Sequence, residues 1–225
     1  PVGAPLFHKL CRLLKNCLSH PLPAIQQKAL QSITSIFLRK EICSPYIREL
    51  GPNVFDKIRP YVLPEKDAQS PTIETDLPLL QDISELDTLV VQEAIKAIEA
   101  VLKVSTTPQK QLMFINLLLR CLARFLCNDP TKELKTLQPH VRKLHEFSFY
   151  RINTLGPQHP EAFKMVIQAC PAIKLRIERA AQLISKASQQ QAALFQQQNA
   201  FKNNISTQKP TIELKMDFAA GFTAK

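Results

Sequence analysis

The chain has 225 residues, of which 45% are apolar and 21% charged, and its formal net charge is +10. These proportions are typical of a soluble chain that buries a sizeable core, and they exclude collagen-like, membrane-spanning and wholly disordered proteins. Only four glycines are present, against about 16 at the usual frequency. This scarcity argues against phosphate-binding loops and against β folds with many turns.

The start of the chain carries no targeting signal. It begins at Pro1 without a methionine and lacks the charged and apolar regions of a signal peptide. We therefore expect a cytoplasmic protein and a start that lies within a longer chain. The longest uncharged apolar stretch, 112–119, is far shorter than the roughly 20 residues that span a bilayer.

Apolar residues recur at the helical period almost throughout. This period predicts eight helices, near 5–19, 23–40, 45–62, 86–104, 108–127, 133–155, 160–169 and 171–198. In the first helix, Leu6, Leu10, Leu13 and Cys17 follow one another at intervals of four, three and four. The seventeen prolines lie mostly between the apolar runs, where proline starts or separates helices. The sequence therefore predicts an all-α fold.

An internal repeat relates the second and fourth predicted helices. Residues 25–37 match residues 90–102 at a constant offset of 65, with Ala29 and Ala94 at the same place in both. A small residue there lets two helices approach closely. The match predicts stacked helical hairpins, a HEAT-type α-solenoid over residues 1–200. A generic helical bundle is the alternative, because amphipathic helices alone can produce a similar match.

The segment 64–85 separates the third and fourth helices. It contains three prolines and six acidic residues against one lysine. We interpret it as an acidic, proline-containing linker in solvent. Carboxylates that hold a divalent cation are the alternative, although the D-x-D-x-D-G spacing is missing.

The positive charge lies at two ends that flank an acidic middle. Residues 1–50 carry seven bases and two acids, residues 51–104 five and ten, and residues 105–200 thirteen and five. The bases stand mostly singly, which predicts solvated helix faces formed by Arg120, Arg124, Arg142, Lys143, Lys174, Arg176, Arg179 and Lys186. Nucleic-acid binding generally needs clustered bases, so we do not expect it.

No arrangement of residues indicates catalysis or a cofactor. Cys11 and Cys17, like Cys121 and Cys127, are six apart, which on a helix separates the thiols by about 240°. No C-x-x-C occurs, so we interpret the six cysteines as reduced thiols. We find no nucleophile with a base and no phosphate loop, and we expect no enzyme activity, metal or cofactor.

Two sets of residues are candidates for binding. The flexible tail, 201–225, contains apolar residues that alternate with charged ones and so predict a strip for a groove or a sheet edge; a disordered end is the alternative. Its candidate partner-binding residues are Ile212, Leu214, Met216, Phe218 and Phe222. The first hairpin is expected to expose a face on which upstream repeats stack. The candidates for this face are Leu6, Leu10, Leu14, Ile25 and Ile33.

Three ordered blocks near the end of the chain resemble a known family. They read LGPQHPEAFK at 155–164, PAIKLRIERA at 171–180 and IELKMDF at 212–218. These blocks resemble the C-terminal end of the HEAT-repeat-containing protein 5 family. The glutamine-rich stretch at 188–198 and the residues 219–225 depart from the family pattern.

The resemblance implies a function in membrane traffic. It implies a large, non-enzymatic scaffold that assists the clathrin adaptor of endosomes and the trans-Golgi network and that reaches membranes only peripherally, through partners. The expected partners are proteins: upstream repeats of the same chain, the adaptor complex or other scaffolds, with no small-molecule substrate. The alternative is a basic helical-repeat module that binds RNA or nuclear-transport cargo.

Overall fold

The structure is a computed structural model that describes residues 3–63, 83–127 and 134–206, with the backbone alone from residue 190 onward. These ranges contain eight α-helices: α1 Ala4–Leu18, α2 Pro23–Phe37, α3 Cys43–Ile58, α4 Glu85–Val104, α5 Pro108–Arg124, α6 Pro139–Gln158, α7 Pro160–Ala169 and α8 Pro171–Ser206. No strand occurs in the described residues. The predicted all-α fold class is therefore confirmed.

Each predicted helix has a counterpart, and the largest differences are at helix ends. The third helix ends at Ile58 instead of residue 62, because the chain tightens into a 3₁₀ turn over Arg59–Tyr61. The sixth begins at Pro139 instead of residue 133, after a second 3₁₀ turn over Leu134–Thr136. The last helix continues to Ser206 instead of ending near residue 198, so the prediction of a flexible tail was wrong for residues 201–206. Residues 207–225 and most of the acidic linker lie outside the described residues.

Proline and one serine define where the helices start. Proline occupies the first or second position of α1, α2, α5, α6, α7 and α8, where its missing N–H removes no hydrogen bond. Helix α4 begins differently: the Ser84 hydroxyl accepts a hydrogen bond from the Asp87 N–H at 3.0 Å. Glu85 and Asp87 also place negative charge at the positive end of this helix.

Contacts divide the chain into two compact units, Pro1–Ile184 and Ser185–Lys225. The sequence placed the boundary later, after residue 200. In the first unit, Leu183 is the last buried residue of α8. The core and the surfaces discussed below belong to this first unit.

Helix α4 lies at the centre of the first unit. It contacts α2, α3, α5 and α6, and its most extensive contact is with α2. Twelve of its 20 residues are buried, so apolar side chains are needed on several sides of the helix and not on one stripe. Ala29 in α2 and Ala94 in α4, the repeated alanines, are 5% and 0% exposed.

The helix contacts follow chain order. Neighbouring helices from α1 to α7 pack together, and helices two positions apart also pack: α1 on α3, α2 on α4, α4 on α6, and α5 on α7. Every extensive contact between α-helices in the described residues joins helices no more than two positions apart. The core is therefore built from successive local contacts.

Both described ends of the linker between α3 and α4 are bonded to the hairpin formed by α5 and α6. The Arg120 Nε–H donates to the Leu63 carbonyl at 2.6 Å, from α5. His140, at the start of α6, places its Nε2 2.9 Å from the Ile83 carbonyl. These two side chains fix where the linker leaves and re-enters the core.

Replacing Ala94 by Leu should destabilise the protein by about 1 to 3 kcal/mol, because extra methylenes in a close-packed interior force side chains out of their rotamers. The same reasoning applies to Ala29→Leu. Ala24 lies on α2 and is exposed, so Ala24→Leu is the matched control and should leave the stability nearly unchanged. Urea unfolding measures all three, and equal stabilities would contradict the close packing of α2 on α4.

A second prediction concerns pH and His145. His145 is fully buried, its Nδ1 accepts a hydrogen bond from the Cys127 N–H at 3.0 Å, and burial lowers its pKa to about 4. In the unfolded chain the pKa is about 6.5, so between these values the unfolded state binds more protons. The free energy of unfolding is therefore expected to fall by about 3 kcal/mol from this group as the pH drops from 6.5 towards 4.

The control for this prediction is His145→Gln, whose amide oxygen can still accept from Cys127 but whose side chain does not titrate. Urea unfolding between pH 7 and pH 4 should show a smaller loss of stability for the variant than for the wild type. An identical pH dependence would remove His145 as the cause.

Candidate interaction surface

Helix α1 is apolar over a wider arc than one neighbouring face can cover. Its large apolar residues are Leu6, Phe7, Leu10, Cys11, Leu13, Leu14, Cys17 and Leu18. At about 100° per residue, they span an arc of about 160°. Helices α2 and α3 pack on α1, and they cover only half of this arc.

The inner half of the arc is part of the core. Cys11, Leu14 and Leu18 are buried, and Phe7 is partly buried. The ring of Phe7 meets the ring of Tyr46, in α3, edge to face at 4.7 Å between centroids. This half therefore holds α1 against α3.

The outer half of the arc consists of Leu6, Leu10, Leu13 and Cys17, and we call it the α1 stripe. Leu6 is 60% exposed and Leu13 is 58% exposed. Leu10 and Cys17 lie nearer the inner half and are half-buried. The stripe is thus an apolar surface about three helical turns long with two leucines largely open to solvent.

Cations border the α1 stripe on its outer side. Lys9 and Arg12 are exposed; Lys9 lies about 40° around the helix from Leu13, and Arg12 lies further round the solvent side, about 100° from Leu13. Lys15 forms an ion pair with Glu49 of α3, whose carboxyl pKa this lysine lowers. The whole of α1 and α2 contains no acidic residue, so the border of the stripe is positively charged.

The outer side of α2 differs from that of α1. Lys28, Ser32 and Ser35 are exposed there, and both serine hydroxyls donate to backbone carbonyls one turn earlier. Leu22 and Leu38, which flank α2 at its two ends, are the large apolar residues exposed near it. Along the first hairpin, the continuous apolar surface is therefore confined to α1.

The predicted repeat-stacking face is only partly an exposed face. Leu6 is exposed, and Leu10 and Ile25 are half-buried. Leu14 and Ile33 are 7% and 0% exposed, so the prediction was wrong for these two residues. Leu14 belongs to the inner half of the α1 arc, and Ile33 belongs to the buried side of α2.

The sequence reasoning missed Leu13 as a surface residue. The signal was present in the apolar arc of α1, which is wide enough for two adjacent stripes. Periodicity alone does not say which stripe faces the core. The five tail candidates, Ile212, Leu214, Met216, Phe218 and Phe222, lie outside the described residues, and their role stays a prediction.

The basic residues form a smaller solvated surface than predicted. Arg124 and Arg176 are each only 9% exposed, so the expectation of solvated faces was wrong for both. Arg120 is half-buried and bonded to the Leu63 carbonyl. Long basic side chains reach solvent or carbonyls while their stems are buried, which explains why spacing alone misplaced them.

Other kinds of site are not evident in the part of the chain that the structure describes. There, no group of three His, Cys, Asp or Glu side chains could hold a metal ion, and no helix has the length and apolarity to cross a membrane. All six cysteines are unbridged thiols. Burial raises the pKa of Cys11 and Cys121, which keeps both thiols protonated and unreactive.

Comparison with known proteins identifies no family. No protein-family model and no solved structure matches the chain. The resemblance to the HEAT-repeat-containing protein 5 family therefore stays a prediction.

The division of the α1 arc is testable with two adjacent leucines. Leu14→Ala should destabilise the protein by about 2 to 5 kcal/mol, because it removes buried methyl groups and leaves a cavity. Leu13→Ala should change the stability by no more than about 0.5 kcal/mol, since Leu13 is largely exposed. The two changes have the same intrinsic effect on helix propensity, so thermal unfolding compares burial directly. Equal losses would contradict the proposed surface.

Proposed function

We propose that the helices of the first unit form part of a HEAT-type α-solenoid and that the protein is a non-enzymatic, protein-binding scaffold. The main observation behind this proposal is the order of helix contacts: within the described ranges, every extensive contact between α-helices joins helices no more than two positions apart. In a solenoid each hairpin covers only its neighbours. A closed bundle would instead pack the first helices on the last.

The internal repeat supports the same architecture. The repeated alanines, Ala29 and Ala94, are both buried, and they lie on the two helices that share the most extensive contact. Helices in equivalent positions of successive hairpins pack in this way in a solenoid. Solenoids expose long surfaces on which other proteins bind.

The proposed cellular role rests on the resemblance at the end of the chain. The blocks 155–164 and 171–180 lie in α6, α7 and the start of α8. They contribute Leu155, Ile173 and Ala180 to the core, so the resembling residues are part of the folded unit. The scaffold would then assist the clathrin adaptor of endosomes and the trans-Golgi network, at the membrane only through partners.

The net charge of +10 is the feature that favours the alternative, a module that binds RNA or nuclear-transport cargo. Nucleic-acid binding needs solvent-facing bases that reach phosphates. Arg124 and Arg176 are buried, which reduces the basic surface open to a phosphate backbone. Protein binding is therefore the proposal that we retain.

Affinity capture from cytosol on the immobilised 225-residue chain tests the proposal. A second experiment tests whether purified endosomal clathrin adaptor binds the chain directly. We expect adaptor or co-scaffold subunits to be retained after nuclease treatment. Raising the salt should weaken this retention less steeply than it weakens nucleic-acid binding, because apolar contacts are not screened. Retention of nucleic acid with a steep loss on raising the salt would favour the alternative. The variant Phe218→Ala distinguishes binding by the tail from binding by the helices. Capture that survives this change assigns binding to the helical surface.

A further inference from the structure

We propose that the α1 stripe is the docking site for a single acidic, leucine-bearing amphipathic helix of a partner protein. This inference deepens the proposed scaffold function and rests on it. It concerns Leu6, Leu10, Leu13 and Cys17, together with the bordering Lys9.

The size of the stripe matches one helix. From Leu6 to Cys17 the rise is about 16 Å, which is the length of about three turns of a partner helix. Docked helices of this kind anchor through side chains spaced three, four and seven residues apart. Leu6 and Leu13, seven residues apart and each more than half exposed, present that same spacing.

The outer side of α2 argues for one helix and against a whole hairpin as the occupant. A hairpin repeat stacked on this end would cover α1 and α2 together. The outer side of α2 carries Lys28, Ser32 and Ser35 in solvent instead of apolar side chains. Only α1 offers a continuous apolar contact.

Charge defines the chemistry of the partner. Lys9 is exposed beside the stripe and takes part in no ion pair among the described residues. No acidic side chain occurs in α1 or α2 to neutralise it. A partner helix with Glu or Asp along one flank would meet Lys9 while its leucines cover Leu6 and Leu13. Complementary charge of this kind selects the partner and speeds its approach.

Two other occupants are disfavoured, each by a different observation. A second copy bound about a two-fold axis would bring the same patch onto itself, so Lys9 of one copy would approach Lys9 of the other. Helices that bind at a membrane surface bury a broad apolar face in the bilayer, whereas the inner half of the α1 arc is already covered by α2 and α3. Both remain outcomes of the test.

The experiment measures binding of a synthetic helical peptide of about three to four turns, with leucines at every third or fourth position and glutamates along one flank. Fluorescence anisotropy with the full 225-residue chain should detect binding that weakens with salt. Leu6→Ala with Leu13→Ala should lower the affinity at least about tenfold, as expected for central apolar anchors. Lys9→Glu should also weaken binding of the glutamate peptide, and this variant should bind a leucine-matched lysine peptide better than the wild type does.

Matched variants control for general loss of surface. Met113 and Met165 are exposed on α5 and α7, so Met113→Ala with Met165→Ala removes as much exposed apolar surface elsewhere. Lys143 is exposed on α6, which makes no extensive contact with α1 among the described residues, so Lys143→Glu repeats the charge change. Neither control should alter peptide affinity more than about twofold.

Four results would overturn the proposal: no peptide binding, equal binding of the glutamate and lysine peptides, binding of phosphatidylserine vesicles in place of the peptide, or a dimer that Leu13→Ala dissociates. If the peptide fails while the adaptor is still captured, the scaffold function stands and the α1 stripe is not its site. If the peptide binds as expected while the adaptor is not captured, the stripe is a docking site and the assignment to adaptor traffic is wrong.

Discussion

The burial of α4 on several sides is the constraint on which the rest of the first unit depends. Four helices pack on it, and twelve of its 20 residues are buried. Such a helix needs apolar side chains around most of its circumference, and small ones where a neighbour comes close. Alanines at 94, 97 and 100, each no more than 2% exposed, meet the second need. The positions of α2, α3, α5 and α6 then follow from the faces that α4 offers.

Charged groups on so central a helix need partners. The Glu99 carboxylate lies 3.1 Å from the Arg151 guanidinium of α6, which itself stacks on the Phe147 ring at 5.2 Å. Burial raises the pKa of Glu99, and the nearby Arg151 offsets only part of that rise. A buried ion pair of this kind adds little net stability compared with an apolar pair. Its effect is to favour the one arrangement of α4 and α6 in which both charges are satisfied.

The sequence predicted what is encoded locally. Proline positions and the helical period located eight helices, and the repeated alanines located two buried positions, because each signal lies within one segment. Which side of a helix is covered is not local information. Leu13 and Leu14 are adjacent and chemically identical, and only the positions of α2 and α3 decide that Leu14 is buried and Leu13 exposed. Arg124 was misplaced for the same reason: a singly spaced base gives no sign of what packs around its stem.

The two halves of the α1 arc therefore have separate physical roles. The inner half binds α1 to the core through contacts such as Phe7 on Tyr46, and its loss would affect folding. The outer half can be covered without disturbing those contacts. In an interface of this kind the exposed leucines would set how slowly a partner leaves, since they are the groups removed from water. Lys9, at the rim, would instead govern how fast an acidic partner arrives and how strongly salt opposes it. Affinity and selectivity would thus depend on different residues of one helix, so each can vary without loss of the fold.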